Sequence, residues 1–327
     1  MATPTRSAPT RGVLLDADSL GPEDLNLAPL LATLPHWQCH GASAPHQVHE
    51  RLLNAEIVIT NKVELNAELL ARLPKLQLVC VAATGTNNID LDAAKRQGIT
   101  VCNVVNYGPR SVAQHALMLM LTLATKMPAY SQAAVNGQWS RSPFFCLLDY
   151  PIMELAGKTL GIVGYGVLGQ QLAQLGRALG MEVIISARPG SKEVPEGRVA
   201  FHTLLASADV ISLHCPLTEA TAKLINAATL AQMKPGALLI NCARGGLVDE
   251  PALAAALRAG TLGGAGLDVL SQEPPPADHP LLAGDIPNLI ITPHTAWASR
   301  EARQNLVDIL TNNIQCYLSG APVNRVA

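Results

Sequence analysis

Apolar residues fall along this chain in short runs set apart by helical patterns. GVLLD (12–16) reads as a buried strand, 52–60 runs from a helix end into a second, LQLVCVAA (76–83) is a third and GITVCN (98–103) a fourth. The third ends in the turn TGTNN, and a helix begins near Leu91. Short continuous apolar runs alternating with helices predict parallel strands joined by βαβ crossovers. An apolar helix with few charges is predicted over 111–126, and 136–155, which has two Phe, two Pro and no clear period, reads as a long structured loop. A second series follows, with strands at 159–163, 182–186, 209–213, 237–241, 263–267 and 288–292. Helices are predicted at 167–179 and 250–258, and a last amphipathic one over 299–318. The pattern predicts an α/β fold of two doubly wound, Rossmann-like parallel-sheet domains, the second with more strands.

Length agrees with two cores, since 327 residues exceed what one usually organises. Apolar residues make up 49% but aromatics only 3%, so Leu, Val, Ile and Ala must fill those cores. The net charge of -2 and pI of about 6.5 provide no electrostatic footprint for nucleic acid or an acidic membrane surface. Seven scattered cysteines with no CxxC pair read as reduced thiols, and the longest apolar run, 116–125, is too short to span a bilayer. The first twelve residues hold no apolar stretch for a secretion signal and read as a short tail. The cytoplasm is the expected location.

The chemistry begins at KTLGIVGYGVLGQQLAQLGRALG (158–180), where Gly164, Gly166 and Gly169 form a GxGxxG turn. That pattern is weak alone, but here an apolar strand precedes it and a helix with Leu168, Leu172, Leu175 and Leu179 follows. Gly164 allows the tight turn, Gly166 lets backbone approach a pyrophosphate, and Gly169 lets the helix pack close to the strand. A nicotinamide dinucleotide is the implied cofactor. The next strand ends in Ser186, Ala187 and Arg188, with no carboxylate until Glu193, where an NAD site would hold the ribose hydroxyls with an acid. Arg188 is placed to meet a 2′-phosphate, with Ser186, Ser191 and Lys192 to assist, so NADPH is favoured over NADH. The alternative is an ordinary solvated arginine and NAD.

Three residues follow the C-terminal ends of later strands, where this fold keeps its ligands. They are Arg244 in NCARGGLVDE, Glu273 in SQEPPP and His294 in TPHTAW. Arginine can hold a substrate carboxylate through a bidentate pair, histidine can give or take the hydroxyl proton, and a nearby carboxylate orients the imidazole. Singly, each has an ordinary structural reading: a surface charge, a loop acid, a satisfied strand-end histidine. Together, beyond a dinucleotide turn, they predict hydride transfer to or from a 2-oxo/2-hydroxy acid.

The chain resembles the D-isomer-specific 2-hydroxyacid dehydrogenases, and within them the glycerate dehydrogenase/hydroxypyruvate reductase group. The resemblance covers residues 12 to 320 and rests on VAATGTNNIDL, SVAQHA, AGKTLGIVGYGVLG, LHCPLT, MKPGALLINCARGGLVDE, GLDVLSQEPP and TPHTAWAS. It implies Arg244 on the substrate carboxylate and carbonyl, His294 as acid/base and Glu273 as its partner. Amides around Ala83, Thr84 and Gly85 would hold the carboxylate from the other domain, the active site lying in the cleft between the two. Cofactor contacts are implied for Val112, Val167, Leu168, Cys215, Cys242, Ala243 and Asp268, with Asp268 near the nicotinamide amide. A discontinuous substrate domain, 1–105 with 297–327, and a dinucleotide domain, 106–296, are expected, as is a homodimer formed through the 136–155 loop. Phe144 or Phe145 would be the aromatic that reaches a partner's active site.

Hydroxypyruvate or glyoxylate is the expected substrate. A D-lactate-type reductase and a non-catalytic dinucleotide-sensing protein are the alternatives. His36, His40, His46 and His49 have metal-like spacings but fall across a strand and turn with no acid or thiolate arrangement beyond Cys39. They read as solvated positions, and no metal is expected.

Overall fold

A computed structural model of the chain describes residues 8–191 and 193–327. The readings placed on Lys192 and on the start of the tail lie outside the described residues. The chain divides into two compact units, one running to Gly108 and resuming at Ala298–Ala327, the other Pro109–Trp297.

The first unit holds a five-stranded parallel sheet of β1 (Arg11–Leu14), β2 (His36–Cys39), β3 (Ile57–Thr60), β4 (Leu78–Val81) and β5 (Thr100–Cys102), in the order β2-β1-β3-β4-β5. β3 and β4 are buried at every position, which is why both read as unbroken apolar runs. Alternate residues such as Val13, Val58, Val79 and Val101 share a core with Val48, Leu52, Leu70 and Ala94 from the crossover helices. The helix Arg300–Leu318 packs near β4, and its Asn313 donates to the Asn103 carbonyl at 2.9 Å. The chain's last segment thereby belongs to the unit in which it began.

The second unit holds six parallel strands: β6 (Thr159–Val163), β7 (Glu182–Ile185), β8 (Val210–Leu213), β9 (Leu238–Asn241), β10 (Gly264–Leu267) and β11 (Leu289–Ile291). Their order is β11-β10-β9-β8-β6-β7. The helices Pro109–Ala124 and Val167–Ala178 share one core with Leu160, Ile162, Val210, Leu238 and Ile240. The residues between, Ile211, Leu213, Leu239 and Leu267, join Leu204, Leu205, Leu253 and Leu257 in another. The strand alternation therefore buries helices on both faces. The apolar helix ends at Ala124, short of the expected 126, and a further helix, Met127–Val135, follows Lys126 in the left-handed region at φ 54°. No helix among the described residues is long and apolar enough to cross a membrane.

Candidate active site

Register gathers the candidate residues. Val163 of β6 pairs with Leu213 of β8, Leu213 with Asn241 of β9, Asn241 with Leu267 of β10, and Leu267 with Ile291 of β11. This row crosses the sheet at its C-terminal edge, one strand every ~4.8 Å. The segments carrying Gly164, Cys215, Arg244, Glu273 and His294 all leave from it.

The first departure lies where the strand order reverses, between β6 and β8. Gly164 adopts φ 97°, and a Cβ there would lie 2.5 Å from the Cys215 nitrogen and 2.7 Å from the His214 carbonyl oxygen. A Cβ on Gly169 would sit 2.2 Å from the Gly164 oxygen. Gly166 differs: a Cβ there meets nothing within 4 Å. It caps Val167–Ala178 without any side-chain cap, so the helix's first N–H groups take no bond from the N-cap side chain. A glycine cradle at a helix N-terminus fits the pyrophosphate of a dinucleotide. Val167 is exposed, while Leu168 and Tyr165 lean on the core. Val112, Cys215, Cys242 and Ala243 are buried. Burial raises both thiols, that of Cys242 strongly and with help from the Asp268 charge, so neither is a ready nucleophile. Beside them, His214 has Nε2 on Ser212 Oγ at 2.9 Å and Nδ1 buried without a partner, and burial holds its pKa down to about 4.

At the end of β7, Arg188 and Ser191 are exposed, but Ser186 is buried and its hydroxyl donates to the Ala187 carbonyl at 2.6 Å. Ser186 therefore turns inward, contrary to the assisting role expected of it. Sequence reasoning missed Arg198. A bridge pairs Ser186 with Val199, which sets Arg198 Nη1 3.1 Å from the Ser186 carbonyl and its guanidinium 5.9 Å from the Tyr165 ring centre. Nothing in the spacing signalled this, because the loop's return to β7 is a tertiary event.

At the ends of β9, β10 and β11 the polar residues are braced by backbone. Buried Asn241 donates to the Arg244 carbonyl at 2.9 Å and accepts the Ala243 N–H at 3.0 Å, fixing the turn from which Arg244 projects, exposed. Arg244 Nη1 donates to the Ala243 carbonyl at 2.6 Å. A Cβ on Gly245 would stand 1.9 Å from the Leu270 carbonyl carbon and 2.2 Å from the Ser271 nitrogen, so Arg244's turn is seated directly on the loop that carries Glu273. Within that loop Leu270 N–H donates to Glu273 Oε1 at 2.9 Å. Glu273 Oε2 lies 2.6 Å from His294 Nδ1. Asp268 is only 1% exposed. Its carboxylate accepts the Thr292 hydroxyl at 2.6 Å and the N–H groups of Thr295 at 2.9 Å and Ala296 at 2.8 Å, with His115 Nε2 3.4 Å away. Asp268 therefore shapes the turn that presents His294.

In the first unit, Ala83, Thr84 and Gly85 follow β4. Thr84 Oγ donates to the Val104 carbonyl at 2.8 Å and its own carbonyl accepts Asn103 Nδ2 at 2.8 Å, which holds the turn open. Phe144 and Phe145 are exposed, and Trp139 Nε1 donates to the Phe145 carbonyl at 2.9 Å. His36 sits on β2, and His46 and His49 on the helix Pro45–Leu52.

A family model described as the NAD binding domain of D-isomer specific 2-hydroxyacid dehydrogenases matches residues 117–296. The chain is 48% identical over 283 residues to a glycerate dehydrogenase of Methylorubrum extorquens, covering 86% of this chain and 88% of that one. It is 39% identical over 319 residues to a hydroxypyruvate reductase of Blautia hydrogenotrophica, covering 96% and 98%. Among solved structures, an acyclic imino acid reductase in complex with NADPH and D-Arg superimposes with a TM-score of 0.84 at 27% identity, over 97% of this chain and 100% of that one. With the glycine cradle and the strand-end trio in place, the chain belongs to the D-isomer specific 2-hydroxyacid dehydrogenase family.

Proposed function

We propose that this protein reduces a small 2-oxo acid, hydroxypyruvate or glyoxylate, to D-glycerate or glycolate, with NADPH as the favoured donor. The carrying observation is the His294 Nδ1 to Glu273 Oε2 contact of 2.6 Å beside the turn of Arg244. The names of the glycerate dehydrogenase and hydroxypyruvate reductase relatives support the substrate class.

Glu273 takes Nδ1–H, which orients the ring and leaves Nε2 for the substrate oxygen. Arg244 pairs with the substrate carboxylate through its planar fork and polarises the carbonyl. The glycine turn and the strand-end trio of Pro109–Trp297 support reading that unit as the dinucleotide domain, which leaves the other, with Ala83, Thr84 and Gly85 just past β4, as the substrate domain. The reduced nicotinamide, when bound, supplies the hydride to C2. His294 delivers the proton from Nε2 to the carbonyl oxygen, and the alcohol forms.

Arg188, joined by Arg198, supports NADPH, as does Ala187 where an NAD site has an acid. The exposed apolar side chains of 139–152, with Phe145 at 90% and Leu148 at 84%, support a homodimer through this segment.

A panel of 2-oxo acids assayed with NADH and NADPH tests the substrate and cofactor. H294A is expected to lower kcat by about 10²–10⁴-fold while dinucleotide binding, followed by fluorescence, is kept. Turnover near wild type in that variant removes the assignment.

A further inference from the structure

We infer that Glu250 and His279, outside the site described above, are positioning residues for the Glu273–His294 pair and act through the Ser271 peptide; the inference rests on the proton-transfer role proposed for that pair. Glu250 opens the helix Glu250–Arg258, buried, at the end whose partial charge favours a carboxylate. Its Oε1 accepts the Ser271 N–H at 2.7 Å, and its Oε2 accepts the Ser271 hydroxyl at 2.6 Å and bonds His279 Nε2 at 3.1 Å. His279 is also buried, and its Nδ1 accepts the Leu281 N–H at 3.3 Å, so Nε2 carries the proton that faces Glu250.

The residue so gripped is the one on which the site depends. The Leu270–Ser271 peptide is the floor against which Gly245 is pressed, and Leu270 N–H fixes Glu273 Oε1. Glu250 thus holds from one side a peptide that Arg244's turn holds from the other. The anchor of the substrate carboxylate and the partner of the imidazole keep one spacing because they share it. Apolar packing would stabilise such a corner about as well as a buried charged cluster does. What the cluster adds is direction: three donors converge on one carboxylate, and two of them belong to Ser271.

In E250Q an amide NH₂ replaces one acceptor and must face either a donor of Ser271 or His279 Nε2–H. We expect kcat to fall ten- to a hundredfold, with the KM for NADPH held within about twofold. The decisive measurement is a double-mutant cycle with E273Q. If Glu250 acts through Glu273, E250Q/E273Q loses no more than about twice what E273Q loses alone. Losses that multiply overturn the inference, as does an E250Q enzyme with normal kcat and only a lowered melting temperature. Should E250Q fail to fold, S271A, which deletes a single donor, takes its place in the same cycle and is judged in the same way. Should E273Q itself turn over at the wild-type rate, the proposed role of the pair falls, and this inference with it. Multiplying losses leave the pair standing and remove only Glu250.

Discussion

The N–H of His294 donates to the carbonyl of Asp268 at 2.8 Å, and the Asp268 carboxylate accepts the N–H groups of the next two residues. His294 sits in this grip at φ 54°, a left-handed conformation that costs a side-chain-bearing residue about 1 kcal/mol or more. The acid proposed to touch the cofactor therefore also keeps the imidazole in a conformation the chain would not choose.

The D268A variant tests this hold on His294. It strips the acceptor from the Thr292 hydroxyl and from two N–H groups, one of them buried. Each donor left unsatisfied costs about 1–3 kcal/mol, so a loss of roughly 3–5 kcal/mol is expected in urea unfolding, with kcat falling alongside. An unchanged unfolding midpoint sinks the claim.

The glycine turn separates folding from binding at two positions three residues apart. G169A must push a Cβ into the Gly164 oxygen at 2.2 Å, whereas G166A adds a methyl where nothing lies within 4 Å. G169A is expected to lose both stability, by a few kcal/mol, and dinucleotide binding. G166A should keep its melting temperature and weaken NADPH at least tenfold, because its methyl occupies the space that backbone needs to approach a phosphate. Calorimetric titration beside thermal unfolding separates the two. Equal behaviour of both variants contradicts the assignment of roles.

Much of this was legible in the sequence because parallel strands buried on both faces print as unbroken apolar runs, and their ends mark where chemistry gathers. β9, β10 and β11 read directly, and so did Arg244, Glu273 and His294 just past them. What brings those three together is register, Asn241 beside Leu267 beside Ile291, and no spacing along the chain encodes it. Supporting residues were illegible for the same reason. Asn241 and Glu250 hold backbone that is turned back on itself or remote in sequence. His279 bonds the Glu250 carboxylate from 29 residues away, and none of these residue types carries a signal of it. Ser186 misled because its hydroxyl found an acceptor one residue away. The strand β2 showed only faintly under its histidines, being exposed at three of its four positions and so lacking an apolar run.

His214 gives the pH dependence a sign. Its folded pKa of about 4 lies below the ordinary 6.5, so between those values the unfolded chain binds a proton that the folded one refuses. Stability therefore falls as pH drops through this window, by at most about 1.4 kcal/mol per unit from this group. Between pH 7.5 and 5, urea unfolding of the wild type should lose about 2 kcal/mol more than that of H214N, in which the titration is gone. Matching losses in the two proteins sink the expectation.

The NADPH preference proposed above rests on two arginines, Arg188 just past β7 and Arg198 on the loop that returns to it. An arginine on a 2′-phosphate contributes a charge-assisted bond of about 1.5–3 kcal/mol, so removing it should raise the KM for NADPH by roughly ten- to a hundredfold and leave NADH little changed. R188A is expected to behave in this way. Arg198 also holds the Ser186 carbonyl and lies over Tyr165, inside the glycine turn, so two roles are open to it and they separate in the assay. If its guanidinium meets the phosphate, R198A weakens NADPH alone and the preference moves towards NADH. If it only braces Tyr165, both dinucleotides weaken equally and R188A carries the whole selectivity. The ratio of kcat/KM for the two cofactors, measured in R188A, R198A and the double variant, decides between them, and a ratio unchanged in all three removes both arginines as its source.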